Sequence, residues 1–189
     1  MKKQILVLSI SLSLFTLGVK AQDGHAGHKG HKMAETKSGE ADPAFQKQLF
    51  SVYEASLELK EAFVASDANK VKKAVVPVQE AVAKVDMKLL KDQAHMDWMG
   101  NLKKINNSLN HIKNSSNIGE QRKHFSDFNN SLYKSVKAFG TGGETVYYQH
   151  CPMALNNAGA FWLSDSKEIR NPYFGDEMLK CGSVKGTLQ

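Results

Sequence analysis

Five candidate metal donors fall in two short clusters near the C-terminal end of the sequence. The first cluster reads His-Cys-Pro-Met and the second reads Met-Leu-Lys-Cys, and together they hold both cysteines of the 189-residue chain. Thiolate, thioether and imidazole together favour soft cations, so Cu(I) is the expected ion, with Ag(I) or Zn(II) as alternatives. If folding joins the clusters, the sulfur ligands are Cys151, Met153, Met178 and Cys181, with His150 as an optional fifth donor.

A disulfide between Cys151 and Cys181 is the alternative to a metal site. A lone cysteine pair in an exported protein is commonly oxidised, and a bridge closing this loop would stabilise the fold by roughly 3–4 kcal/mol. The two states are compatible, because reduction would free both thiolates for a metal. In this alternative the chain is a non-catalytic structural or interaction module of the cell envelope.

The N-terminal part of the sequence predicts export followed by a histidine-containing leader. Residues 1–21 begin with two lysines after Met1, continue with a short apolar run and end with small residues before the expected cleavage site, which is the pattern of a signal peptide. The apolar run is too short to span a bilayer comfortably, so we expect a periplasmic protein without stable membrane insertion. Residues 22–42 lack a hydrophobic period and are predicted to be disordered. This segment contains His25, His28 and His31 at intervals of three residues. A flexible chain could wrap these imidazoles around one metal ion.

The elements that must position the donor clusters are four amphipathic helices within residues 43–140. Apolar residues recur at spacings of three and four, Asp42-Pro43 is a helix start signal, and Pro77 predicts a kink in the second helix. The predicted inward positions are Phe45, Leu49, Val52, Ser56, Leu59 and Phe63; Val71, Val75, Val78, Val82, Val85 and Leu89; His95, Trp98, Leu102, Ile105, Leu109 and Ile112; and Phe125, Phe128, Leu132 and Phe139.

Short loops between helices of this length predict an all-α, up-down-up-down four-helix bundle. Residues 141–189 are predicted to form a small irregular C-terminal cap containing short β segments, with β-prone runs at residues 146–149 and 160–163. The aromatic residues of the cap are expected to pack it on one end of the bundle. They are Phe161, Trp162, Tyr173 and Phe174.

His95 occupies an inward position where an apolar residue is expected. One interpretation is a hydrogen-bonded core or helix-end histidine. The other is a further metal ligand, or a partner of one, that reaches the C-terminal segment. Met96 and Met99 are predicted to be packing residues, because methionine fills irregular gaps in a core.

The strings YYQHCPMA, GAFWLS and EIRNPYFGDEMLKCG resemble the signature of a family of domains of unknown function from Gram-negative bacteria. Such domains follow a signal peptide or are attached to periplasmic adaptor subunits of copper/silver efflux pumps. The resemblance extends back through the helices to about Phe45 and includes HMDWM at residues 95–99. It implies a heavy-metal role, with efflux pump components as partners, but it implies no ligand set. Cys-Pro-Met also resembles the metal-binding motif of such adaptors, with Ala154-Leu155 replacing the usual His-Pro.

Charge and motifs argue against the other functional classes. Of the formal net charge of +6, three charges come from lysines in residues 1–21. The remaining lysines are spread along helices, whereas nucleic-acid binding needs a clustered basic face. The sequence has no HExxH, Cys-x-x-Cys or glycine-rich phosphate loop after a strand. We therefore expect a metal chaperone, buffer or efflux accessory and not an enzyme.

Overall fold

Four long helices follow the apolar stripes of the sequence. The computed structural model of the protein describes residues 41–189. The helices are α1 (Pro43–Val64), α2 (Ala68–Ala83), α3 (Asp92–Asn114) and α4 (Ile118–Phe139), with a short 3-10 turn at Met87–Leu89 before α3. The proposed signal peptide and His25, His28 and His31 lie outside the described residues.

The helices pack as antiparallel neighbours. Phe45 near the start of α1 contacts Phe139 at the end of α4, with ring centroids 5.1 Å apart. Phe63 near the end of α1 contacts Phe125 near the start of α4, with centroids 4.3 Å apart. Helix α2 packs against α1 and α3, and α3 packs against α4. The predicted fold class, a four-helix bundle with a small β-containing cap, is confirmed.

Most of the predicted inward positions are buried, and the exceptions lie in the turn before α3 and in the first half of that helix. Leu89, His95 and Leu102 are partly exposed. The prediction that Met96 and Met99 pack inward is wrong, because their side chains are 65% and 37% exposed. The core at this end of the bundle is already filled by the edge-on contacts of Trp98 with aromatic rings of α1 and α4. In α2, Pro77 lies inside the helix without ending it.

The cap is a three-stranded antiparallel sheet. Its strands are β1 (Val146–Cys151), β2 (Ala160–Ser164) and β3 (Ser183–Leu188), in the order β2-β1-β3. The first two strands coincide with the two predicted β-prone runs. The third strand was not predicted, because its short sequence contains Gly186 and few apolar residues.

The sheet lies along the sides of α1 and α4 and not only on one end of the bundle, so that prediction is wrong. The reason is two buried polar contacts, one in the middle of α4 and one near the C-terminal end of α1. Asn129 of α4 accepts a hydrogen bond from the Leu163 N–H at 3.1 Å through Oδ1. Lys60 of α1 donates to Ser164 Oγ at 3.3 Å.

The segment between β2 and β3 does reach the end of the bundle. Arg122 of α4 donates to the Pro172 carbonyl and to Ser66 Oγ, both at 2.9 Å. Gly175 has φ +60°, and a Cβ there would lie 2.6 Å from the Val64 carbonyl oxygen. A larger residue could not enter this contact without displacing the backbone.

Bundle and cap are parts of one compact unit. Within residues 41–189, no helix combines the length and apolar character that crossing a bilayer requires.

Replacing Asn129 should loosen the cap from the bundle. Asn129→Leu removes the acceptor of the buried Leu163 N–H, and an unsatisfied buried donor costs about 1–3 kcal/mol. We expect the free energy of unfolding, measured by urea denaturation, to fall by that amount. Asn130→Ala on the next residue is the control and should change it by less than about 0.5 kcal/mol. Equal effects of the two substitutions would contradict the assigned role of Asn129.

The Glu61–Arg170 ion pair between α1 and the cap should make stability depend on pH. Arg170 Nη2 lies 2.8 Å from Glu61 Oε2. Burial of Glu61 opposes ionisation, but hydrogen bonds from Arg170 and Lys60 outweigh it, so the pKa of Glu61 is lowered. A carboxyl whose folded pKa is depressed stabilises the fold above its unfolded pKa and loses that contribution as the pH falls.

Glu61→Gln should therefore reduce the free energy of unfolding at pH 7 by about 0.2–1 kcal/mol, the usual range for a solvent-accessible pair. Denaturant titrations at pH 7 and pH 3 measure the difference between wild type and variant. The difference should shrink at pH 3, because the contribution of the pair is lost as the pH falls toward the lowered pKa of Glu61. A difference that persists unchanged at pH 3 would mean that the ion pair is not its cause.

Candidate functional site

The two cysteines lie face to face although they are 30 residues apart in sequence. Cys151 ends β1 and is buried, and Cys181 lies two residues before β3 and is half-buried. Pairing of β1 with β3 places His150 opposite Ser183, which draws the two cysteines together. Their Sγ atoms are 2.7 Å apart. The structure thus brings the two predicted sulfur clusters into contact.

This sulfur separation lies between the values for a disulfide and for a shared metal. A disulfide bond is about 2.05 Å long. Two thiolates on one tetrahedral ion, each bound at about 2.3 Å, stand about 3.8 Å apart. Either product therefore requires a relative movement of about 1 Å or less. The pair can form a covalent bridge or open to admit an ion without rearrangement of the sheet.

The local environment keeps the Cys181 thiol protonated. The hydrogen bond with Cys151, together with burial, raises the pKa of Cys181 to about 11, and a hydrogen bond from the Met153 backbone N–H partly opposes the shift. A thiolate is the form that binds metals and attacks disulfides. Metal binding must therefore displace a proton from Cys181 at neutral pH, and affinity for the ion should increase with pH.

Both methionines of the predicted clusters border the cysteine pair. The Cys181 N–H donates to the Met178 carbonyl at 3.0 Å, and the Met153 N–H contacts the Cys181 sulfur. Met153 and Met178 line one open cleft of about 590 Å³, together with Tyr173, Phe174 and the first turn of α4. Met153 is 48% exposed. Four sulfur-bearing residues therefore meet at one corner of the molecule.

A left-handed turn follows Met153 and forms another wall of the cleft. Leu155, Asn156 and Asn157 have φ values of 53°, 59° and 67°. Asparagine tolerates this region, but for leucine it costs roughly 1–2 kcal/mol. Hydrogen bonds from the Asn157 and Gly159 N–H groups to the Met153 and Ala154 carbonyls close the turn. Backbone strain of this kind is concentrated at functional sites. The strained turn therefore supports a functional role for the cleft.

The sequence reasoning missed this turn, and the signal that could have found it is the Asn-Asn-Ala-Gly string at residues 156–159. It also missed the groups that hold Cys181 in place. Asn171 is fully buried and donates to the Cys181 carbonyl at 2.8 Å. Gly182 has φ +139°, and a Cβ there would lie 2.8 Å from the His150 carbonyl oxygen and 3.0 Å from the Trp162 ring. These contacts explain why the second cluster has one fixed position.

His150 is not brought to the sulfur atoms. Side chains alternate along a strand, and the His150 ring packs on Phe161 at 4.1 Å between centroids, away from Cys151. Burial and the nearby Lys185 charge lower its pKa. Within residues 41–189, no three His, Cys, Asp or Glu side chains come close enough to share an ion. His150 therefore does not complete a site with the two cysteines.

His95 does not reach the C-terminal segment, which corrects the expectation that it acts together with the C-terminal donors. It lies at the start of α3, where Trp98 contacts Phe139 at the end of α4. The sulfur cleft lies at the other end of α4, beside Gly119. Helix α4 has 22 residues, which corresponds to a length of about 33 Å. The His95 ring instead bonds to the Met87 carbonyl through Nδ1 at 3.2 Å.

Comparison with known proteins assigns the helical part of the chain only. No curated protein and no solved structure matches the sequence. The three strings that carry the family resemblance lie after residue 146, yet the match to a family model ends at residue 144. Residues 52–144 match the model of the family described as "Protein of unknown function (DUF3347)". This match confirms the resemblance to a domain of unknown function.

Proposed function

We propose that this chain is a periplasmic metal-binding protein that holds Cu(I) between Cys151, Cys181, Met153 and Met178. The observation that carries the proposal is the 2.7 Å approach of the two cysteine sulfurs, beside a cleft that both methionines line. The protein would serve as a copper chaperone, a buffer or an accessory of a heavy-metal efflux pump. Export rests on the sequence of residues 1–21.

The donor set favours Cu(I) over Zn(II). Thiolate and thioether are soft ligands that suit Cu(I) and Ag(I), whereas Zn(II) prefers thiolate with imidazole or carboxylate. The nearest histidine in sequence, His150, packs on Phe161 on the other face of β1. Trp162 and Tyr173 are buried and contact each other at 6.0 Å between centroids, and the Trp162 ring lies next to Gly182, the residue after Cys181. An apolar wall of this kind limits access of water to a bound ion.

A non-catalytic structural or interaction module is the second candidate function. The same sulfur separation favours it, because oxidation needs only a small approach of the two atoms. The disulfide would join the end of β1 to the segment before β3 and would fix the cap for contact with another envelope protein. An exported protein meets oxidising conditions, so this state would compete with metal binding for the same two thiols.

Cu(I) binding by the reduced protein should depend on both cysteines. Competition with a chromophoric Cu(I) chelator should give one tightly bound ion per chain. Cys151→Ser or Cys181→Ser should weaken the affinity at least about 100-fold, since each removes a charged sulfur ligand. Met153→Leu and Met178→Leu should each weaken it about tenfold.

His150→Gln is the matched control, because its ring faces away from the sulfurs, and it should leave Cu(I) affinity unchanged. If Cys151→Ser and wild type bind Cu(I) equally well, the cysteine site is wrong.

Reduction should destabilise the wild-type protein if the disulfide forms. Oxidised wild type should have no titratable thiols, and adding reductant should lower the free energy of unfolding by roughly 3–4 kcal/mol. The Cys151→Ser/Cys181→Ser double variant should be insensitive to reductant. A wild-type protein that retains two free thiols under mild oxidant, with the same stability in both conditions, would argue against the disulfide.

A further inference from the structure

We propose a second site for a soft monovalent cation, Cu(I) or Ag(I), on the methionine surface formed by Met87, His95, Met96 and Met99. This surface lies at the start of α3 and in the 3-10 turn that precedes it. It shares no residue with the cysteine site and does not depend on it. Its ligands would be three thioether sulfurs and one imidazole nitrogen.

The exposure of these methionines is unusual for the described part of the chain. Six large hydrophobic side chains in residues 41–189 are strongly exposed, and three of them belong to the methionine surface. Met96 is 65% exposed, and Met87 and Met99 are each 37% exposed. The buried Trp98 occupies the core position of this turn. Packing therefore does not account for the methionines.

The helical spacing places three of the donors together. A helix turns by about 100° per residue, so Met99 lies about 40° from His95 and about 60° from Met96 around the axis of α3. Residues three or four apart on a helix have Cβ atoms about 5–6 Å from each other. Methionine side chains are long and unbranched, so an ion at Met99, which lies between His95 and Met96 around the axis, is within reach of both of them.

A hydrogen bond orients His95 as a ligand. Its Nδ1 lies 3.2 Å from the Met87 carbonyl oxygen. Because a carbonyl can only accept, Nδ1 carries the proton and Nε2 has the free lone pair. Metal-binding histidines typically donate their other N–H to a carbonyl or carboxylate in this way. The same bond holds the Met87 backbone beside the imidazole, and the Met87 side chain, the fourth donor, is 37% exposed.

The chemistry of these donors selects the ion. Thioether and imidazole together suit Cu(I) and Ag(I), whereas Mg²⁺ and Ca²⁺ need oxygen ligands. All four donors are neutral, so thiol oxidation cannot remove the site. The positive N-terminal end of α3 disfavours a cation, and Asp92 in the first turn of the helix offsets this charge.

Methyl NMR can test the site with Ag(I) alone, which is redox-inert. The protein is labelled with ¹³C-methyl methionine in the Cys151→Ser/Cys181→Ser background, where the cysteine site is absent. At one equivalent of Ag(I), we expect the methyl signals of Met87, Met96 and Met99 to shift together. The Met153 and Met178 signals should lag behind them. Oxidised wild-type protein should give the same methyl shifts. Agreement between the two samples would show that the shifts do not arise from misfolding of the double variant.

Variants of the surface should separate coordination from adventitious contact. Met99→Leu and His95→Gln should each weaken Ag(I) affinity at least about tenfold, and neither alters a buried core position. His111→Gln, an exposed histidine on the same helix, is the matched control and should leave the affinity unchanged. Absence of shifts at Met87, Met96 and Met99, or unchanged affinity in Met99→Leu and His95→Gln, would overturn the proposal. Neither result bears on Cu(I) binding at the cysteines.

Discussion

The pairing of β1 with β3 is the constraint on which the sulfur site depends. Residues 151 and 181 are distant in sequence, and the chain between them makes a second strand and a long loop. Only the antiparallel register that sets His150 opposite Ser183 brings the two thiols within 2.7 Å. Gly182 is required at this point, because a Cβ would meet the His150 carbonyl. A slip of this register would separate the sulfurs.

The bundle supports this register from the side, through few but buried polar contacts. Asn129 satisfies a backbone N–H of β2, and Arg122 donates to the Pro172 carbonyl where α1 ends and α4 begins. Both helices are themselves fixed by aromatic contacts at their two ends. Rigid helices therefore set the position of the outer strand and of the loop, and these in turn limit how far the cysteines can separate when an ion binds.

The helices could be predicted from the sequence because the apolar spacing that indicates a helix lies within the residues of that helix. Apolar spacing identified α1, α2 and α4 almost completely, and it failed at the start of α3, where the few core positions were already occupied by Trp98 and its aromatic partners. The cap was only partly predictable. Strand runs could be found, but which strands pair and on which face His150 lies depend on contacts far apart in sequence. The left-handed conformation of Leu155 could not be expected from its residue type.

The two proposed sites would respond differently to their surroundings, since their donors differ in charge and redox chemistry. The cysteine site requires reduced sulfur and the loss of a proton from a thiol with a pKa of about 11. The methionine surface uses neutral donors that neither thiol oxidation nor thiol ionisation changes. Roughly one helix length, about 30 Å, lies between them, several times the screening length of about 8 Å at physiological salt. Two monovalent ions would therefore bind without appreciable repulsion, and formation of the Cys151–Cys181 disulfide would remove one site while leaving the other intact.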